Sequence, residues 1–155
     1  MRKFCSFLLF VCALAVQVPV FAQSGGQPMK SQAQSATLYQ RLGGYDALTA
    51  VTDEFIGRLA TDPQLGRFFT GLSTDSKQRV RQHVVDFLCQ ATGGPCGYHG
   101  RDMKTAHTGL NITEADWNAS VKHLVATLDK FKVPEKEKGE VLQAVGGLKG
   151  DIVGR

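Results

Sequence analysis

The chain has 155 residues, of which 18 are Lys or Arg and 14 are Asp or Glu, and its formal net charge at pH 7 is +4. Removal of Arg2 and Lys3, which lie in a predicted export signal, leaves 16 basic and 14 acidic residues, a balance of +2. So small a charge, dispersed along the chain, gives no indication of a nucleic-acid partner.

The first 22 residues have the pattern of a signal peptide. Arg2 and Lys3 precede a mostly apolar run at residues 4–16, and Ala22 ends a tripeptide that suits signal peptidase. The run is shorter than the ~20 residues that cross a bilayer, so we expect residues 1–22 to be removed and no stable membrane insertion. The sequence therefore predicts a periplasmic or secreted protein.

A compositional change separates the signal from the rest of the chain. Residues 23–36 are rich in Ser, Gln and Gly and lack aromatic and β-branched residues. Such a stretch cannot bury enough apolar surface to offset the entropy of ordering, and we interpret it as a flexible linker. The remaining residues, 37–155, are predicted to form one domain, large enough to bury roughly two thirds of its unfolded surface.

Two long helices are predicted in the first half of this domain. Apolar residues recur at every fourth position over residues 45–61, and Pro63 ends that stretch. A short turn then leads to a second helix over residues 75–92, with Thr74 as its cap and Gly93 as its stop. The apolar stripe of the second helix consists of Val80, Val84, Phe87, Leu88 and Ala91.

The second half of the domain is also predicted to be helical. Residues 93–111 contain five glycines, which indicates mostly loop with one short helix near residues 103–107. Thr113 and Asp116 have the spacing of a helix cap, and a long helix follows them. A final helix is predicted from Pro134 to Ile152, weakened by two glycines. No stretch alternates apolar and polar residues, so the predicted fold class is all-α.

Cys89 and Cys96 are the cysteines that remain after removal of the signal. They lie seven residues apart across a glycine turn, and an exported protein folds in an oxidising compartment. We therefore expect a disulfide, with two unpaired thiols as the alternative.

Four motifs occur in a characteristic order along the chain. They are Leu42-Gly43-Gly44, Phe68-Phe69, Gly93-Gly94-Pro95 and the set Met103, Lys104, Ala106, His107. In this order they resemble the group I truncated haemoglobins, and the likeness extends from about residue 37 to residue 153. The resemblance implies a truncated globin fold, a two-over-two helical sandwich that holds haem b.

The resemblance makes His107 the proximal ligand of the haem iron and places Phe69, Met103 and Trp117 in the haem pocket. Neutral imidazole is a good iron donor, and a proximal histidine is common in oxygen-binding haem proteins. The alternative is a loop histidine that is exposed or bonded to backbone. No Cys-x-x-Cys-His motif occurs, so covalent c-type attachment is not indicated. The predicted apolar walls of the pocket are Phe69, Val80, Val84, Phe87 and Trp117.

His83 has two interpretations. It lies roughly 70 degrees from the centre of its helix's apolar stripe, at the margin. Some members of the family that the chain resembles carry a histidine here that binds the iron from the distal side, which makes His83 a second candidate iron ligand. The alternative is a solvated histidine at the haem edge. His99 and His123 are expected to be structural or surface residues.

The distal side departs from the family pattern that the chain resembles. Positions that often carry tyrosine or glutamine are occupied by Ile56, Val80 and Val84, which cannot donate hydrogen bonds. A hydrogen bond to a charged acceptor is worth roughly 1.5–3 kcal/mol, so its loss speeds oxygen release about tenfold or more. Unless His83 supplies the donor, the sequence predicts weak retention of oxygen.

Two functional hypotheses follow. The first is a haem protein that reversibly binds O2, NO and CO, with nitric oxide dioxygenation as a further activity that needs an unidentified reductase. The second is a six-coordinate redox, electron-transfer or sensor protein that uses both His83 and His107. Peroxidase-like chemistry is less favoured because His83 is the one distal acid or base. A haem-free helical interaction module is the remaining alternative.

Overall fold

A computed structural model describes residues 36–155, and all regular structure in that range is helical. None of these helices is long and apolar enough to span a bilayer. The predicted signal peptide and all but the last residue of the predicted linker lie outside the described residues. The elements are α1 (Leu38–Arg41), α2 (Gly44–Thr61), a 3-10 helix (Gly66–Phe69), α3 (Thr74–Ala91), α4 (Met103–His107), α5 (Glu114–Lys130), α6 (Glu135–Gly146) and α7 (Lys149–Ile152).

The main packing involves four of these helices. Helix α2 packs against both α3 and α5, and α5 packs against α6. The buried centre consists of Val51 from α2, Leu124 and Leu128 from α5, and Val141 from α6. Their burial removes apolar surface from water and supplies most of the driving force that holds the helices together. The predicted all-α fold class is confirmed.

The helix ends agree with the sequence in part. Thr113 and Asp116 form the expected capping box at the start of α5. Ser73 rather than Thr74 caps α3, because the Ser73 side chain accepts a hydrogen bond from the Ser76 amide. The predicted last helix is divided into α6 and α7.

Helix α3 has a buried side that differs from its predicted apolar stripe. Val85 and Cys89 are fully buried, whereas Val80 is 37% exposed and Val84 and Phe87 are only half-buried. At 100 degrees per residue, Val85 and Cys89 lie on one side of Val84, and Phe87 lies on the other. The side with Val85 and Cys89 therefore faces the protein interior, and the predicted stripe is left only partly covered.

Candidate functional site

The site is built around His107, the last residue of α4. Asp102 caps this helix, since its carboxylate accepts hydrogen bonds from the amide and the hydroxyl of Thr105, both at 2.8 Å. These bonds lower the pKa of Asp102, so the cap stays ionised at neutral pH. The cap fixes the start of a helix of only five residues, and with it the direction of the imidazole.

The imidazole of His107 is held by one hydrogen bond to backbone. Its Nδ1 atom lies 2.7 Å from the carbonyl oxygen of Met103. A carbonyl only accepts, so Nδ1 carries the proton and Nε2 keeps a lone pair. Nε2 makes no hydrogen bond to residues 36–155. The alternative interpretation, a histidine bonded to backbone, also includes this bond. The bond fixes the tautomer that binds metals through Nε2.

The segment after His107 is tied to the end of the chain. The amide of Asn111 donates to the carbonyl of Arg155 at 2.6 Å, and the amide of Gly154 donates to the carbonyl of Ile112 at 2.8 Å. Helix α4 packs against α7 rather than against α3. The division of the last predicted helix therefore serves the site, because α7 supports the helix that carries His107.

The partly covered side of α3 supplies an apolar wall. Val80, Val84 and Phe87 share this side, and the exposed fraction of Val80 alone is 37%. A soluble domain leaves such a stripe uncovered chiefly where something else binds. An apolar surface and an imidazole nitrogen with a free lone pair are the two features that a haem-binding site requires. The residues therefore suit the haem that the resemblance implies.

Three further predicted pocket residues lie on other elements. Phe69 ends the 3-10 helix and is half-buried, Met103 begins α4 and is half-buried, and Trp117 in α5 is 8% exposed. Phe69 and Met103 thus retain surface that a cofactor can cover, whereas Trp117 is already part of the packed interior.

A buried carboxylate anchors the 3-10 helix that carries Phe69. Asp116 is 1% exposed and accepts hydrogen bonds from Gln64 Nε2 at 2.8 Å and from Arg67 Nη2 at 2.7 Å. Burial raises its pKa, but bonds from the backbone of Thr113, from Gln64 and from the Thr113 hydroxyl, together with the charge of Arg67, lower the pKa to about 2. The helix-cap pattern in the sequence includes Asp116, but it does not predict that Asp116 also anchors the 3-10 helix.

The three positions that the sequence predicts on the distal side have side chains that cannot donate hydrogen bonds. Ile56 in α2 and Val84 in α3 are half-buried, and Val80 is exposed. His83 is exposed, and its ring meets the ring of Tyr98 edge-on at a centroid distance of 6.0 Å. The structure thus places His83 at the margin of the apolar stripe, beside the loop that leads to α4. Tyr98 was not a candidate from sequence, because an aromatic residue in a glycine-rich loop belongs to no periodic pattern.

Cys89 and Cys96 meet at the end of α3. Their Sγ atoms are 1.97 Å apart, which is bonding distance. Gly94 makes this approach possible, because a Cβ at Gly94 would lie 2.7 Å from Cys89 Sγ and 2.6 Å from the Tyr39 ring. Cys89 lies on the interior side of α3, away from Val80 and Phe87.

The interior also holds a small cavity of about 120 Å³. It is far smaller than the roughly 300–1,000 Å³ of pockets that hold organic cofactors. None of the predicted haem-pocket residues lines it, so it is a feature distinct from the predicted site. Its lining consists of Leu42, Ala47, Leu48, Val51, Leu88, Thr92, Leu124, Leu128, Phe131, Val133 and Val141.

The two remaining histidines have no place in the site. His99 is exposed in the loop before α4. His123 Nε2 lies 2.8 Å from Asp62 Oδ2, and this bond is the main cause of the lowered pKa of Asp62. His123 therefore joins α5 to the end of α2, in agreement with the expected structural role. Within residues 36–155, no three His, Cys, Asp or Glu side chains form a cluster that could hold a metal ion.

Comparison with known proteins identifies close likenesses. Residues 37–153 match the profile of the bacterial-like globin family. The group 1 truncated hemoglobin GlbN of Mycolicibacterium paratuberculosis is 36% identical over 121 residues, 78% of this chain and 87% of the relative. GlbN of a Nostoc species is 37% identical over 120 residues, 77% of this chain and 99% of the relative.

Solved structures agree with these relatives. The Fe(III) form of truncated hemoglobin from Tetrahymena pyriformis has a TM-score of 0.70 and 29% identity, and the match covers 77% of this chain and 100% of that one. The 2/2 hemoglobin of a Synechococcus species, solved in the cyanomet state with covalently attached heme, gives a TM-score of 0.70 and 30% identity with the same coverage. The chain therefore belongs to the bacterial-like globin family and, within it, to the group 1 truncated haemoglobins with their two-over-two helical fold.

Proposed function

We propose that this haem-binding globin reversibly binds O2, NO and CO, with His107 as the proximal ligand of the iron. Haem with its iron is the cofactor of the family, and gas binding is its general property. The bond from His107 Nδ1 to the Met103 carbonyl carries the proposal, because it leaves Nε2 as the donor atom. His107 would hold the haem through Nε2, and the haem would supply an iron able to bind a diatomic ligand.

The protein's own groups tune this site. The Met103 carbonyl orients the imidazole and fixes the tautomer in which Nε2 is the donor atom. Val80, Val84 and Phe87 offer apolar contact to the macrocycle and exclude water. Ile56, Val80 and Val84 donate no hydrogen bond, so we expect O2 to dissociate quickly. We also expect no polar group at these positions to favour O2 over CO.

The proposal extends to nitric oxide dioxygenation. In that reaction one NO, one O2 and one electron yield one nitrate ion, so turnover requires a reductase or a small-molecule reductant. Neutral apolar gases partition readily into a site walled by valine and phenylalanine. Nitrate formation from the oxygenated protein and NO supports this activity. A rate no faster than loss of the bound oxygen rejects it.

Absorption spectra test the proposal. Purified wild-type protein should carry haem and show a CO-induced spectral shift in the ferrous form. His107→Gly should lose haem affinity, and added imidazole should restore the spectrum in part, because it replaces the missing donor. His99→Gly is the matched control, since His99 is an exposed loop histidine. Unchanged haem affinity in His107→Gly contradicts the assignment.

A second candidate function is a six-coordinate redox or sensor protein in which His83 also binds the iron. The observation that favours it is the position of His83 one turn before Phe87, at the border of the uncovered apolar side of α3. Low-spin ferrous bands without added ligand would support it, and His83→Ala should convert them to high-spin bands. If low-spin bands persist in His83→Ala, another residue is the ligand.

We also propose that the protein is exported and that Cys89 and Cys96 form a disulfide there. The signal-like residues 1–22 support export, and the Cα–Cα distance of 5.7 Å between the two cysteines supports the disulfide. Cell fractionation and the mass of the mature protein test both. The non-reduced chain should start near Gln23 and be lighter than the reduced chain by two hydrogen atoms. A protein retained in the cytoplasm at full length contradicts export.

A further inference from the structure

Tyr98 is fixed in the loop between α3 and α4 by contacts on several sides. Its hydroxyl donates to the carbonyl of Arg101 at 2.6 Å, and its amide donates to Gln90 Oε1 at 2.7 Å. Its ring lies so close to Gly100 that a Cβ there would overlap the Tyr98 hydroxyl oxygen. Burial, followed by the charge of Asp102, raises the pKa of Tyr98, so the hydroxyl remains a donor. The ring is therefore a rigid surface.

This surface contacts α3 at two residues. The Tyr98 ring meets Phe87 edge-on at a centroid distance of 5.4 Å and His83 edge-on at 6.0 Å. Such edge-on pairs are favourable beyond their buried area. His83 is exposed, so its imidazole is the partner that can move.

The arrangement around α3 defines what this contact does. At 100 degrees per residue, Phe87 lies between His83 and Val84 on the helix surface. Tyr98 packs against Phe87 and His83, and so holds the imidazole on the outer flank of Phe87. To reach the position in front of Val84, the imidazole has to leave the Tyr98 ring.

The bond between Cys89 and Cys96 sets the position of Tyr98. Cys96 precedes Tyr98 by two residues, and Cys89 is fully buried in α3, with a Cα–Cα distance of 5.7 Å between the two cysteines. The bond therefore ties the start of the loop to the rigid interior side of the same helix that carries His83. Without it, the remaining polar anchors of Tyr98 are Gln90, which accepts from its amide, and the Arg101 carbonyl, which accepts from its hydroxyl.

We propose that Tyr98 is a positioning residue that holds the His83 imidazole away from the haem iron, and that the Cys89–Cys96 bond keeps Tyr98 in that position. This inference rests on the proposed haem site at His107. With the disulfide intact, the distal position stays open to gases. A dithiol reductant that donates two electrons and two protons to the Cys89–Cys96 bond, and itself becomes a disulfide, yields two thiols and releases His83 to bind the iron. The loop thereby couples the thiol redox state to the number of protein ligands on the iron.

The test compares ferrous absorption spectra without added gas in Tyr98→Ala and in the double variant Cys89→Ala/Cys96→Ala. The ratio of low-spin to high-spin protein should rise about two- to tenfold in each, the factor that corresponds to one lost aromatic contact. Tyr98→Phe keeps the ring and should stay close to wild type. Tyr45→Ala is the matched control, because the Tyr45 hydroxyl accepts from Gln82, the neighbour of His83, on another flank of α3.

Adding His83→Ala to each variant distinguishes a change in the position of the His83 imidazole from a general loss of structure around the haem. The rise in low-spin protein should vanish in both backgrounds, whereas a structural effect persists without His83. An unchanged ratio in Tyr98→Ala, or a rise that survives His83→Ala, overturns the inference while leaving the haem site intact. Failure of the proposed haem site has a different result: His107→Gly would then retain haem with unchanged affinity. If Tyr98→Ala does not fold, the disulfide variant and Tyr98→Leu provide the same comparison.

Discussion

The substitution Asp116→Asn tests how the 3-10 helix that carries Phe69 is anchored. The Asp116 carboxylate accepts from four donors: Gln64 Nε2 on Oδ1, and the Thr113 amide, the Thr113 hydroxyl and Arg67 Nη2 on Oδ2. Asparagine replaces one of these oxygens with an NH2 group and removes the charge. The NH2 group of the asparagine would then face at least one of these four donors, and no hydrogen bond can form between two donors.

The expected loss of stability follows from this geometry. Removing one partner of a buried, hydrogen-bonded ion pair costs about 3–5 kcal/mol. Arg67 is half-exposed, with 52% of its side chain accessible, and water can satisfy it after the substitution. We therefore expect the lower end, about 3 kcal/mol at pH 7, and a smaller loss at acidic pH.

The pH dependence has a definite sign. The folded-state pKa of Asp116 is about 2, below its ordinary value of 3.8, so its contribution is present above about pH 4 and lost as the pH falls towards 2. At pH 3 the wild type has lost about 1 kcal/mol of it, and Asp116→Asn has nothing to lose there. Urea unfolding of the haem-loaded proteins at pH 7 and pH 3 measures both differences. The reasoning is refuted if Asp116→Asn lowers the free energy of unfolding by less than about 1 kcal/mol at pH 7. It is also refuted if the decrease is the same at both pH values.

Three further substitutions test other parts of the structure. Val84→Gln introduces a donor on the apolar side of α3 and should slow O2 dissociation about tenfold in stopped-flow measurements; an unchanged rate places Val84 outside the pocket. Gly94→Ala should lower the free energy of unfolding by about 1–3 kcal/mol, because the new Cβ would lie 2.8 Å from the Cys89 carbonyl oxygen. Gly139→Ala should raise it by about 0.5–1 kcal/mol, because Gly139 lies in α6 with open space around it. Equal melting temperatures of the two alanine variants would contradict the packing at Gly94.

Much of the fold could be predicted because its helices carry strong periodic and capping signals. Helix α5 illustrates this, since the capping box expected at Thr113 and Asp116 begins the helix in the structure. The first short helix, Leu38–Arg41, was not predicted, because four residues are too few to show a period. The break before α7 was underestimated, since the apolar positions continue to Ile152 even though the helix ends at Gly146.

The candidate site was less predictable from the residues alone. His107 had no periodic context, and the motif order of the family pointed to it before any geometry did. The bond from its Nδ1 to Met103 depends on a turn of helix that only the folded chain defines. The anchoring of the 3-10 helix by Asp116 and the contact of His83 with Tyr98 join residues 49 and 15 positions apart, respectively. Local sequence patterns carry no information about such pairs.

The two sides of α3 explain why the predicted apolar stripe differs from the side of the helix that the structure buries. A helix that packs only on a protein interior needs one stripe. The sequence predicts that stripe at Val80, Val84, Phe87, Leu88 and Ala91. The structure instead buries Val85 and Cys89 towards the interior and leaves Val80 and Phe87 for another partner. A helix between a core and a cofactor must be apolar over a wider arc than either contact needs alone. His83 lies at the outer border of that arc and contacts the Tyr98 ring, so it is the residue whose position the neighbouring loop can change.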